Sequence, residues 1–142
     1  MAHVHHFSAK LTWTGAAKGT TSSYESYSRD HLIEVPGKPP LPGSADKVFR
    51  GDSSRHNPEE LLVMSLSACH MLTYLAVAAR AGVHVVAYSD AASGTMQLQE
   101  GKMRFTEVGL RAASWRAMRP MCPMMTRNPK CRKIRIVEDA VP

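Results

Sequence analysis

Cys69 is one of three cysteines in the chain and stands in the segment Ser67-Ala68-Cys69-His70. A thiolate is a strong nucleophile, whereas a thiol buried in apolar surroundings is inert. Composition alone favours a structural role, because cysteine is among the residue types most often buried. His70 cannot activate Cys69 within one helix, because adjacent positions point about 100° apart. We therefore expect His70 to be a hydrogen-bonded core histidine, and both roles stay open for Cys69.

Two adjacent glutamates precede Cys69 by about ten residues. Glu60 stands three residues after Asn57, which is the spacing of a capping box, so a structural role accounts for it. Glu59 has no such explanation, although any carboxylate there gains from the helix dipole. Glu59 is therefore the more interesting of the two for chemistry.

Several classes of site are not indicated by the sequence. His3, His5 and His6 have no cysteine or carboxylate at metal-ligand spacing, so a solvated strand end is the better interpretation. A P-loop, a dinucleotide-binding glycine pattern and a Gly-x-Ser-x-Gly elbow are all absent from the sequence. We expect neither a metal nor a cofactor.

A helix over residues 58–81 must position these side chains. Asn57 is its expected N-cap, Pro58 suits the first helical position, and Gly82 ends it. Apolar and small residues occupy every face, which predicts a helix buried all round. Residues 61–79 carry no charge, but their polar side chains and the lack of flanking aromatic residues favour a core helix over a membrane span.

Short strands are predicted on both sides of this helix. Before it, the patterns favour strands at 7–14, 20–28 and 31–35, a proline- and glycine-rich loop, and an irregular segment at 47–56. After it, they favour strands at 83–88, 95–99 and 104–108, with a hairpin loop at 99–102. Beyond Leu110 the periodicity is lost, except for a short last strand at Ile134, Ile136 and Val137.

The net charge of +6 is confined to one part of the chain. Residues 1–110 carry ten basic and ten acidic side chains, whereas residues 111–142 carry eight basic and two acidic ones. A basic tail is more often solvated than bound to nucleic acid, so we expect no nucleic-acid partner. The length predicts a single domain over 1–142, with a body at 1–110 and an atypical basic segment at 111–142. Three cysteines and no secretory signal predict a cytoplasmic location.

The segment around the helix resembles the OsmC/Ohr family of osmotically induced and organic-hydroperoxide-resistance proteins. The resemblance rests on His-Asn-Pro-Glu-Glu-Leu-Leu at 56–62 and on Ser-Leu-Ser-Ala-Cys-His-Met at 65–71. It extends over roughly residues 5–110 and includes Trp13-Thr14-Gly15 and Phe49-Arg50-Gly51. It implies an α+β fold in which antiparallel sheets surround a long buried central helix, in an intertwined homodimer.

The resemblance also implies a function and a set of site residues. Members of the family reduce organic hydroperoxides, with a dithiol or a lipoylated protein as reductant. By position, Cys69 resembles the peroxidatic cysteine and Glu59 the active-site glutamate. The family holds its thiolate with an arginine from a flanking loop, for which Arg50 and Arg55 are the candidates and Lys18 a weaker one, since lysine lacks the planar fork.

The spacing of Glu59 and Cys69 has a consequence for assembly. Ten residues along a helix span about 15 Å, so the two side chains cannot meet within one chain. If both belong to one site, a second helix must run antiparallel to the first, with the two-fold axis near Met64 and Ser65. We therefore predict a C2 homodimer with two sites at its interface.

The resolving cysteine is not placed by the sequence. Cys122 precedes a proline, as the family's resolving cysteine often does, but Cys131 fits the family spacing from Cys69 better. Prolines interrupt any helix around both cysteines. We offer the hypothesis that the chain after about Leu110 is divergent or frame-shifted, because resemblance, acidic residues and periodicity end together.

These features predict a cytoplasmic thiol peroxidase that defends against oxidative stress. The alternative is a dimer of the same fold without turnover, which acts as a small-molecule binding protein or through its basic tail.

Overall fold

The computed structural model describes residues 3–116 and the backbone of Ile134–Val137. Its contacts divide the chain into two compact units, Met1–Leu61 and Leu62–Pro142, and the boundary falls within the long helix. The secondary structure comprises antiparallel sheets and one long α-helix, as expected for an α+β chain.

The first unit contains a three-stranded antiparallel sheet in the order β1-β2-β3. Its strands are β1 at Lys10–Trp13, β2 at His31–Glu34 and β3 at Leu41–Gly43. The strand predicted at 31–35 is confirmed, whereas the one predicted at 7–14 begins only at Lys10. The alternation expected of a half-buried strand does not bury β1, because Leu11 and Trp13 remain exposed.

The strand predicted at 20–28 is wrong, because this segment forms turns and bends. The hydroxyl of Ser26 donates to the carbonyl oxygen of Thr20 at 2.6 Å and accepts from the backbone N–H of Ser23 at 3.0 Å. Serine and threonine hydroxyls that bond nearby backbone groups compete with a strand ladder. The composition that suggested a strand is here the cause of a turn.

The proline-rich segment before the helix contains a strand that the sequence did not indicate. Pro42 lies inside β3, where a loop was predicted. Proline is tolerated there because β3 is an edge strand of this sheet. The segment at 47–56 is irregular as expected, apart from a short 3₁₀ turn at Lys47–Phe49.

The long helix α1 occupies Pro58–Arg80, within one residue of its predicted bounds. Asn57 Oδ1 accepts from the backbone N–H of Glu60 at 2.8 Å, and Glu60 Oε2 accepts from the backbone N–H of Asn57 at 3.3 Å. This reciprocal pair is the capping box that the sequence predicted. Gly82, with φ of 69°, provides the left-handed residue that ends the helix.

The prediction that α1 is buried all round is wrong for the single chain. Ala78 is the one buried residue of α1, and all its other residues are half-buried or exposed. The 23-residue helix is long and apolar enough to cross a membrane by length and composition alone, with a mean hydropathy of 1.8 in its most apolar stretch. The apolar residues on every face of α1 therefore did not predict how much of the helix is covered within one chain.

The second unit contains a three-stranded sheet in the order β4-β7-β8 and a two-stranded sheet, β5-β6. The strands are β4 at Val85–Asp90, β5 at Ser93–Gln99, β6 at Lys102–Gly109, β7 at Ala112–Arg116 and β8 at Ile134–Val137. The predicted hairpin is confirmed. Glu100 and Gly101, with φ of 50° and 74°, form the two-residue turn between β5 and β6.

Strand β7 corrects the prediction that regular structure is lost after Leu110. Ala112, Ala113 and Ser114 are among the most buried of the described residues, each 5–6% exposed. Because β7 pairs with β4 on one side and β8 on the other, it is the central strand of its sheet. Consecutive small residues leave no alternation to detect in such a strand. The last strand predicted at 134–137 is confirmed as β8.

Candidate functional site

Cys69 is an exposed free thiol on α1. The structural interpretation of a buried cysteine therefore does not hold for the single chain. Residues three positions before and after it, Leu66 and Leu72, are 41% and 62% exposed and lie on the same side of the helix. The thiol thus lies in an exposed apolar face of α1, formed by Leu62, Leu66, Cys69, Leu72 and Val77.

Polar side chains on the opposite side of α1 set the orientation of this face. Ser67 donates to Asp90 Oδ2 at 2.7 Å, and His70 Nδ1 lies 2.7 Å from the hydroxyl oxygen of Tyr88. One turn on, the hydroxyls of Tyr74 and Ser114 are 2.7 Å apart. Ser67 and Cys69 are two positions apart, or about 200° around the helix. The hydrogen bonds to the strands therefore turn Cys69 outward, and they confirm His70 as a hydrogen-bonded histidine.

Glu59 lies in the first turn of α1, and its carboxylate makes no hydrogen bond or ion pair within the described residues. The Oε2 atom is buried and has no hydrogen-bond partner among the residues that the structure describes. An unpaired carboxylate oxygen in such a position is a strong acceptor for a cationic donor. Its neighbour Glu60 is occupied by the capping box. The two glutamates thus differ in their hydrogen bonding: Glu60 is held by the cap, and Glu59 stays a candidate site residue.

The two predicted arginines differ in how far their charges are compensated. Arg55 Nε lies 3.4 Å from Asp52 Oδ2 and 3.9 Å from Asp30 Oδ1, so two carboxylates already compensate its charge. Arg50 is exposed, with φ of 66°, and its side chain makes no hydrogen bond or ion pair within the described part of the chain. Of these two, Arg50 is the one that is free to act on an anion.

The weaker candidate Lys18 is engaged with a buried carboxylate. Its ammonium lies 2.9 Å from Oδ2 of Asp30, whose side chain is only 6% exposed. This contact is the main reason that the pKa of Asp30 lies below its ordinary value of 3.8, and Ser28 and Arg55 add to the effect against the cost of burial. Lys18 therefore has a structural partner, and Asp30 ties three segments of the first unit together.

Arg29 is a further candidate that the sequence analysis missed. Its guanidinium lies over the rings of Tyr27 and Tyr24, 3.9 Å and 4.5 Å from their centroids, and donates to the carbonyl oxygens of both residues. It also lines a hollow of about 320 Å³ together with Trp13 and Pro58, the residue before Glu59. The spacing Tyr24-x-x-Tyr27-x-Arg29 was the available signal, because arginine stacks on aromatic rings.

The structure does not bring Glu59 and Cys69 together in one chain. They lie ten residues apart on one continuous helix, or about 15 Å along its axis. Cys122 and Cys131 lie outside the described residues, so both remain candidates for the resolving cysteine. Among the residues that the structure describes, no three histidine, cysteine or carboxylate side chains are grouped to hold a metal ion.

Comparisons with known proteins agree with the architecture. The family model described as OsmC-like protein matches residues 51–116, which includes all of α1 and extends to the end of β7. A solved structure of an OsmC-like protein of unknown function from Vibrio cholerae O1 biovar eltor is similar, with a TM-score of 0.70 and 30% identity. The similarity covers 82% of this chain and 78% of that one. No curated protein matches the chain.

Proposed function

Since this chain belongs to the OsmC-like family, we propose that it is a thiol-dependent peroxidase that reduces organic hydroperoxides through Cys69. The observation that carries the proposal is the exposure of this free thiol on α1, ten residues after a glutamate whose buried Oε2 has no hydrogen-bond partner among the described residues. A peroxidatic cysteine must be reached by substrate, and a structural cysteine has no need to be exposed.

The proposed reaction oxidises the sulfur atom and cleaves the peroxide. The Cys69 thiolate attacks the distal oxygen of the hydroperoxide, a sulfur–oxygen bond forms, and the oxygen–oxygen bond breaks. The leaving alkoxide takes up a proton and departs as the alcohol, and Cys69 is left as a sulfenic acid. A second thiol then condenses with the sulfenic acid, which releases water and forms a disulfide. A dithiol or a lipoylated protein returns both sulfur atoms to thiols.

A cation is needed to favour the thiolate and to offset the charge of the leaving oxygen. We assign this role to an arginine that Glu59 orients. The unpaired Oε2 of Glu59 supports this, because a guanidinium is the strongest donor for such an oxygen. Arg29 and Arg50 fit better than Arg55, since Arg55 is already held by two carboxylates. Arg29 also lines the hollow that reaches Pro58, beside Glu59.

A homodimer would complete this site. The 15 Å between Glu59 and Cys69 is closed if a second α1 runs antiparallel across the first, near Met64 and Ser65. The part of the apolar face nearest this crossing, at Leu62 and Leu66, suits the contact, because exposed apolar side chains gain free energy when they are removed from water. The thiol of Cys69 would lie at the edge of the contact, where substrate can still reach it. In such a dimer, the glutamate of one protomer lies beside the thiol of its partner.

The test is peroxide consumption by the reduced protein. Wild type and Cys69→Ser are mixed with excess cumene hydroperoxide and a dithiol, and peroxide loss and free thiols are followed. Wild type is expected to turn over, and Cys69→Ser to lose at least a hundredfold in rate, because serine is not ionised at neutral pH. Unchanged consumption by Cys69→Ser removes Cys69 as the nucleophile.

A matched control separates attack from resolution. The double variant Cys122→Ser, Cys131→Ser keeps Cys69 and removes both candidate partners. It is expected to consume one peroxide per chain under single-turnover conditions and to leave a sulfenic acid that dimedone traps. A wild type that also stops after one peroxide would indicate a family member without turnover.

A further inference from the structure

A groove in the second unit, which the proposed peroxidase reaction does not use, has the composition of a small-molecule site. It has a volume of about 430 Å³, within the range of roughly 300–1,000 Å³ typical of such sites. Its apolar walls come from one side of α1 and from the segment after β4, and they consist of Val63, Met64, Ala68, Met71 and Ala92.

Among the described residues that line this groove, Asp90 is the only charged one. Its Oδ2 accepts the hydroxyl of Ser67 at 2.7 Å, whereas its Oδ1 is buried and has no hydrogen-bond partner among the described residues. Asp90 also makes no ion pair within that part of the chain. A carboxylate that is partly removed from water and not paired with a cation lowers the free energy of unfolding.

The geometry points to a binding site for a small amphipathic cation, an alkyl or aryl ammonium or guanidinium, whose charged group pairs with Asp90. Pairing requires the buried Oδ1 of Asp90 to turn toward the groove that this residue lines, while the rotatable hydroxyl of Ser67 keeps its hydrogen bond to the carboxylate. The apolar body of the ligand lies against Met64 and Met71, whose flexible thioethers adapt to varied shapes. A neutral ligand would leave the buried carboxylate oxygen unsatisfied.

The site is separate from the proposed peroxidatic thiol. Ser67, which helps to hold Asp90, lies about 200° around α1 from Cys69, and Cys69 does not line the groove. Asp90→Asn removes the charge but keeps an oxygen that can accept from Ser67 and so hold the rotation of α1; it is therefore expected to change cation binding and to leave peroxide consumption as in wild type. The test of cation binding and the test of peroxide consumption can therefore give a negative result independently of each other.

Calorimetric titration with two probes of equal length tests the site. The n-hexylammonium ion carries the charge, and n-hexanol is its neutral counterpart. We expect saturable binding of one hexylammonium per chain at pH 7, at least tenfold tighter than hexanol, because only the ammonium satisfies Asp90. Equal affinity for the two probes, or no saturable binding of hexylammonium, overturns the proposal, and the second result would indicate that a protein cation already occupies Asp90.

Variants locate the binding. Asp90→Asn is expected to bind hexylammonium at least tenfold more weakly, and Ser67→Ala several-fold more weakly. Glu100→Gln is the matched control, because it removes one negative charge from the exposed β5-β6 turn and is expected to bind as wild type does. Unchanged affinity in Asp90→Asn overturns the proposal. If circular dichroism shows that Asp90→Asn is not folded, the Ser67→Ala titration and the comparison of the two probes on wild type still test the proposal.

Discussion

At the scale of single residues, two buried carboxylate groups differ in whether they have partners. Asp30 is 4% exposed and accepts from Lys18, while its backbone carbonyl oxygen accepts from the N–H groups of Thr14 and Gly15. One aspartate thus joins the turn after β1, the start of β2 and the loop that carries Arg55. The carboxylate of Glu59 lacks any such partner among the described residues, which separates a structural acid from one that is available for chemistry.

The lowered pKa of Asp30 predicts a pH-dependent stability. Because the carboxylate is favoured in the folded state, it stabilises the protein above its ordinary pKa of 3.8. That stabilisation is lost as the pH falls through the lower folded pKa. We expect Asp30→Asn to lower the free energy of unfolding by about 2 kcal/mol at pH 7 and by much less near pH 2. Urea unfolding followed by circular dichroism at both values measures this.

The control for Asp30→Asn is Glu25→Gln. Glu25 is exposed, and its carboxylate makes no hydrogen bond or ion pair in the part of the chain that the structure describes. This variant is expected to unfold as wild type does at both pH values. A deficit in Asp30→Asn that is as large near pH 2 as at pH 7 would assign the effect to packing rather than to charge.

At the scale of elements, α1 has a strongly specified start and an incompletely covered surface. The capping box at Asn57 and Glu60 fixes the first turn and therefore the position of Glu59. Further along, three hydrogen bonds to the strands fix the rotation of the helix. Since the same helix carries Glu59 and Cys69, its start and its rotation decide where both groups point.

Removal of the cap tests how much the first turn contributes. Asn57→Ala is expected to lower the free energy of unfolding by about 1–2 kcal/mol, because it leaves the N–H of Glu60 without its acceptor. Asn57→Ser keeps an acceptor oxygen and is expected to lose less than half as much. Urea unfolding at pH 7 compares the two. Equal losses would show that the buried amide, rather than the cap, supplies the stability.

At the scale of the whole molecule, the exposed apolar face around Cys69 is typical of a surface that binds another chain. Large apolar side chains exposed together on one helix are unusual for a monomer and are typical of an association surface. The proposed occupant is a second copy, because an antiparallel α1 would bring the partner's free carboxylate to the thiol. The exposed strand β1 and the hairpin β5-β6 carry further apolar side chains, but these are scattered.

A charged residue in this face tests the dimer. Leu66→Glu is expected to shift the protein from dimer to monomer at micromolar concentration in sedimentation velocity, because the interface would bury an unpaired charge. Peroxide consumption is expected to fall at least tenfold with it. Leu98→Glu is the control, since Leu98 is 70% exposed on β5 and is expected to leave both properties unchanged.

Two results would contradict the two-chain site. The first is sedimentation of wild type as a 15.6 kDa monomer. The second is peroxide consumption at the wild-type rate by the monomeric Leu66→Glu variant. In either case, Glu59 and Cys69 would not act together across an interface.

The sequence by itself determined the features that rest on neighbouring residues. The capping box, the bounds of α1, the β5-β6 turn and the last strand all follow from signals within a few positions of one another, and the motif around Cys69 is enough to indicate the family. The distinction between Glu59 and Glu60 was also available, because a capping box involves only residues three positions apart.

Only the tertiary structure decided which surfaces are covered and which strands are central. The sequence did not predict that α1 is exposed around Cys69, because an apolar helix has the same sequence pattern whether its own sheet or a second chain covers it. It gave no sign of β7, since Ala112, Ala113 and Ser114 are buried by pairing on both sides and show no alternation. Arg29 and Asp90 gained their significance from residues distant along the chain. Burial and pairing depend on contacts between distant segments, which local patterns do not encode.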